Sequence, residues 1–145
     1  MGNIWYSAVN TCHFDAEAYD IKKRFEKCVQ RDFFQDDEPY ENIVSNPPFN
    51  GSQDLVALAL KRTQRKCALL LPTVWINGDA RSRWLETTPL SRVLFITPRP
   101  SMPPGKVIAA GEKPGNGTRD YAWFIWDKTN TWKARPPKIG WLRRD

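Results

Sequence analysis

A chain of 145 residues and 16.8 kDa is long enough for one domain with a real core and too short for two comfortable ones. With 41% hydrophobic and 26% charged residues, the composition is globular and argues against a disordered chain. The formal charge of +6 and a pI near 9.4 point mildly toward a polyanionic partner, although a merely basic surface would give the same figures. Cys12, Cys28 and Cys67 are irregularly spaced and His13 is the only histidine, which argues against a zinc cluster and leaves no metal site to expect. No stretch approaches membrane length and residues 1–10 hold no basic leader, so the expectation is a reduced, cytoplasmic protein away from the membrane.

Residues 4–9 (IWYSAV) read as a short strand, followed by weaker candidates at 17–21 (EAYDI) and 29–34 (VQRDFF). Residues 41–45 (ENIVS) make a better strand, bounded by an acidic loop at 35–38 and by Pro47. The period then changes. Ser52, Leu55, Val56, Ala59, Leu60 and Thr63 recur at helical spacing, and Lys61, Arg62 and Arg65 place positive charge near the helix C-terminus. Residues 66–75 (KCALLLPTVW) begin as the continuous apolar run of a strand buried on both faces, which Pro72 should end, with Cys67 as a small core residue. Residues 79–86 predict a short helix capped by Asp79 and stopped before Pro89. Two further strands follow at 92–97 (RVLFIT) and 121–127 (YAWFIWD). Between them, the Pro- and Gly-rich segment 98–119 is a long loop of the kind that often carries function. The alternation predicts a single α/β domain over 1–145 with a largely parallel sheet.

The chemistry concentrates after the strand at 41–45. Ligands of open α/β sheets gather at the C-terminal ends of strands, and Asn46 lies just past such an end. Pro47 pushes Asn46 out of the helical region, and Pro48 does the same to Pro47. The result is a stiff, extended turn that holds the Asn46 amide and the Phe49 ring in fixed relation. An amide oxygen beside backbone carbonyls accepts hydrogen bonds from an exocyclic amino group, and an aromatic ring stacks on the base that carries it. The bland alternative is a strand stop followed by a proline turn.

Asn46-Pro47-Pro48-Phe49 after an apolar strand resembles the catalytic motif of amino methyltransferases, which is shared by methylases of adenine in DNA, guanine in RNA and glutamine in protein. Together with "NIVSNPPFN", "ALLLPTVWINGDARSRWLETTPLSRVLFITPRPSMPPG", "YAWFIWDK" and "IGWL", the chain resembles phage and prophage DNA adenine N6-methyltransferases over roughly residues 19–142. The resemblance implies a Rossmann-like sheet, S-adenosylmethionine as cofactor, DNA as partner and, for a phage gene product, the bacterial host cytoplasm. It assigns Asn46, Pro47, Pro48 and Phe49 to the target amino group and its base. Asp20 would hold the cofactor ribose with Ile21 on the adenine, and Asp32 with Phe33 would contact the cofactor's base. Arg99, Lys106, Lys113 and Arg119 in the long loop are candidates for DNA phosphate or base contacts; singly, each reads as well as a solvated charge.

One part of the pattern is missing. No Gly-rich cofactor loop precedes Asp20, and "GEKPGNG" at 111–117 follows no strand and opens no helix. The expectation is therefore a methyltransferase sheet incomplete at its N-terminal strand, a truncated or diverged form. Residues 4–9 would then pair beside Ile43 and Val44, or the open edge would make a homo-oligomer. A catalytically inactive DNA-binding remnant, or a methyltransferase of RNA or of protein glutamine, remains as an alternative.

Overall fold

The computed structural model describes residue 9 and residues 15–23, 25–48, 51–101, 111, 119–129 and 136–143. The expected strand at 4–9 lies outside the described residues except for Val9, which is helical rather than extended, and Phe49, Lys106 and Lys113 also lie outside them.

Two sheets form. β1 (Ala18–Asp20) and β2 (Cys28–Gln30) make a two-stranded parallel sheet. β3 (Tyr40–Ser45), β4 (Thr63–Pro72), β5 (Leu90–Thr97), β6 (Tyr121–Asp127) and β7 (Lys138–Arg143) make a five-stranded sheet in the order β3-β4-β6-β5-β7. The architecture is α/β, but the larger sheet is mixed rather than largely parallel. β3, β4, β5 and β7 run one way, and β6 runs against both β4 and β5. The cause lies in the long connection after β5. Arg99 and Asp120 pair across it, so the chain leaves β5 and enters β6 at the same end of the sheet. A return from the same end makes an antiparallel neighbour without a crossover.

α1 (Ser52–Arg62) carries the chain from β3 back to the start of β4, as the helical spacing predicts. β4 begins at Thr63, earlier than the apolar run suggests, and ends at Pro72, whose missing N–H closes the ladder. A 3-10 turn (Thr73–Asn77) and α2 (Asp79–Glu86) follow. The expected Asp79 cap does not form. Gly78 occupies the cap position without a side-chain bond, and the Asp79 carboxylate instead pairs with Arg83 one turn on, at 3.2 Å. The candidate strand at 29–34 stops at Gln30, because the Asp32 carboxylate accepts the Phe34 amide at 2.9 Å and folds that segment into a turn.

One core joins α1, α2, β4, β5 and β6. Val56, Ala59 and Leu60 of α1, Trp75, and Leu85 of α2 pack on Cys67, Leu69 and Leu71 of β4, Val93 of β5, and Ala122, Phe124 and Trp126 of β6. Both helices therefore cover the same face of the five-stranded sheet. Cys67 is buried as expected, and burial pushes its thiol up to about 12 against the opposing pull of Thr63 and Lys128. No helix among the described residues is long and apolar enough to cross a membrane.

Candidate functional site

The site starts where β3 ends. Asn46 is exposed, Pro47 is buried and Pro48 is exposed, so the turn is anchored by one proline ring while the amide faces solvent. Among the described residues, no hydrogen-bond partner engages the Asn46 side chain. It is an acceptor and donor held ready at the C-terminal end of a parallel strand.

The floor beneath it is built by contacts distant in sequence. Gly51 takes a left-handed conformation (φ 70°) that favours glycine, and its carbonyl receives the Leu55 amide, starting α1. The next residue, Ser52, is buried, and its hydroxyl accepts the indole N–H of Trp75 at 2.8 Å. The Arg81 guanidinium lies 4.8 Å from the centre of the Trp75 ring, donates to the Trp75 carbonyl, and reaches Gln53 at 3.3 Å. Trp75 in turn meets Phe124 edge-on at 5.9 Å, and Phe124 stacks on Trp126. The start of α1 is thereby bolted to the turn that follows β4, and both connections leave the same end of adjacent parallel strands. Sequence reasoning missed Ser52, Trp75 and Arg81 as a unit. The only signal was Trp75 at the end of an apolar run, and nothing local marks its partners.

Arg99 and Arg119 flank the same end of the sheet. Arg99 is held in a two-pronged pair with Asp120 at 2.7 and 3.1 Å, which raises its pKa further and clasps the exit of β5 to the entry of β6. Arg119 stands beside this clasp.

The acids assigned to the cofactor lie elsewhere. Asp20 caps its own turn by accepting the Lys22 amide at 2.9 Å, and its carbonyl receives the Arg31 amide; Ile21 beside it is exposed. Asp32 and Phe33 sit in the turn after β2. The Phe33 ring stacks against Tyr40, and Arg62 donates to the Phe33 carbonyl with its guanidinium 4.9 Å from that ring. Tyr40 opens β3 and Arg62 closes α1, so this cluster surrounds the beginning of β3. Asp36 completes it: the Tyr40 hydroxyl, the Glu38 amide and Arg31 hold its carboxyl below the usual range against the cost of desolvation. Phe33 thus packs at the beginning of β3 and Asn46 follows its end, a strand whose six residues span about 20 Å at ~3.3 Å per residue. Asn46 and Pro47 share one site with α1, while Asp20, Ile21, Asp32 and Phe33 share another.

No protein-family model matches the chain, and no curated protein matches it.

Proposed function

We propose that the chain is a methyltransferase-type protein that reads the N6 amino group of adenine in DNA, through Asn46. One observation carries this reading. An asparagine followed by two prolines stands at the C-terminal end of a parallel strand, with its amide exposed and its turn fixed from below by buried Pro47 and the Ser52–Trp75 bond. In a duplex the adenine amino group lies within the stack, so the base must leave it to be reached. The Asn46 side-chain oxygen and the Pro47 carbonyl then accept from that amino group and orient its nitrogen lone pair, and Phe49 follows as the stacking ring of the motif. The contribution of these residues is positioning, with no covalent intermediate on the protein.

A second reading is favoured by the position of Asp20 and Asp32 at the far end of β3: a relative that holds DNA without transferring a methyl group. One experiment separates the two. Purified protein is incubated with unmethylated DNA and labelled S-adenosylmethionine, with RNA as control, while DNA binding is followed in parallel. Label in adenine supports the first reading. Binding without label supports the second, and label in RNA alone removes DNA from both.

A further inference from the structure

α1 and α2 both pack on the Cys67, Leu69 and Leu71 face of the five-stranded sheet, and neither covers the opposite face, where Leu70 is buried and Arg92 and Lys138 are exposed. Ladder register fixes which side chains share it. One row holds Val44, Ala68, Ile125, Arg92 and Lys138, and the next, toward the Asn46 end, holds Leu70, Trp123, Leu94 and Gly140. On the other side lie Asn42, Lys66 and Asp127.

Arg92 and Lys138 are exposed and stand directly opposite each other on neighbouring strands. Like charges so placed repel, and among the described residues no acid pairs with either. Beside Arg92 a cleft of about 270 Å³ is lined by Lys66, Ser91, Arg92, Ile125 and Asp127. Its acid is already engaged. Asp127 accepts from the Thr129 hydroxyl at 2.6 Å and from the Thr129 amide at 3.0 Å, and lies 3.7 Å from Lys66. The uncommitted charge of the cleft is therefore positive. Next to it Ile125, Trp123 and Leu94 form a half-buried apolar strip. Gly140 keeps that strip low toward the β7 edge, since a Cβ there would lie 3.0 Å from the Leu94 side chain.

We propose that this second face of the sheet binds single-stranded nucleic acid, with phosphates at Arg92 and Lys138 and a base lying on the half-buried Trp123. Aromatic side chains on a sheet surface stack unpaired bases, and neighbouring cations track the backbone. A duplex keeps its base faces inside and gains nothing from Trp123. Binding is measured without cofactor, so loss of methyl transfer leaves this proposal standing.

Fluorescence anisotropy tests it, using labelled single-stranded DNA and RNA of about 12 nucleotides and the matching duplex. Single strands bind more tightly than the duplex. Arg92→Ala with Lys138→Ala, both exposed, flattens the slope of log affinity against log salt by about 1.4, the share of two phosphates on a single strand. Trp123→Leu weakens binding on the order of tenfold, and Trp123→Phe restores most of it. Thermal melts check that each variant folds, and the double variant decides the matter if Trp123→Leu does not. Equal or tighter binding of the duplex, or an unchanged salt slope in the double variant, overturns the proposal.

Discussion

At the scale of single residues, Asn46 and Cys67 are opposite cases. Asn46 is exposed, so on the proposed function Asn46→Ala should abolish methyl transfer while leaving the melting temperature unchanged. Near-normal activity in that variant would remove Asn46 from the reaction. Cys67 is 1% exposed, and burial lifts its thiol from 9.0 to about 12. Below pH 9 both folded and unfolded chains keep the proton, and its contribution to stability is fully present. Between pH 9 and about 12 the unfolded chain loses the proton while the folded chain retains it, so stability falls by about 1.4 kcal/mol per pH unit. Urea melts of the native protein and of Cys67→Ala, compared from pH 7 to 11, should show the native protein losing ground above pH 9. A constant difference between them would mean that the buried thiol titrates at its ordinary value.

At the scale of elements, what the sequence reveals depends on how far apart the determining residues lie. α1, α2 and β6 were legible within a residue or so, because period and proline stops are local signals. The β7 segment was missed as a strand. Its Gly140 and its exposed Ile139 and Trp141 give no buried pattern, and its pairing with β5 joins distant parts of the chain. The direction of β6 was equally hidden, since it depends on the ends of a long loop meeting at Arg99 and Asp120. The same holds for the site. The rigid turn at Asn46 shows in two adjacent prolines, whereas its support joins residues 23 apart in sequence. That support is testable. Ser52→Ala leaves the buried Trp75 indole without its acceptor and should cost about 1–3 kcal/mol. The cost should appear in denaturant melts, and a change within error would make the bond incidental to how α1 is seated.

At the scale of the whole molecule, the separation between the two ends of β3 governs what cofactor chemistry is open to one chain. Phe33, next to Asp32, is grouped with Tyr40 and Arg62, and Asn46 lies past the strand's other end. On the proposed function, with no Gly-rich cofactor loop before Asp20 in the sequence, the affinity of the monomer for S-adenosylmethionine should be weaker than micromolar. Titration calorimetry reads this directly. Micromolar or tighter binding by the monomer would require a cradle outside these two groups.

The manner in which β1 and β2 are fastened has a consequence for motion. In the described structure they form their own sheet and share no ladder with β3. Their attachment runs through side chains: Tyr19 against Tyr40 at 5.8 Å, Phe33 against Tyr40, and Arg62 on Phe33. β4, by contrast, is hydrogen-bonded on both sides along an apolar stretch. Ring contacts and ion pairs can part without breaking any strand pairing of the larger sheet, so this unit can open alone. Native-state hydrogen exchange should resolve two classes of amide. Those of Cys67 to Leu71 should be released only with global unfolding and should respond to denaturant with its full surface dependence. Those of Tyr19 and Val29 should exchange at a much lower free energy and barely respond to denaturant at all. If both classes exchange together, the first third of the chain belongs to the same cooperative unit as the sheet, despite its separate fastening.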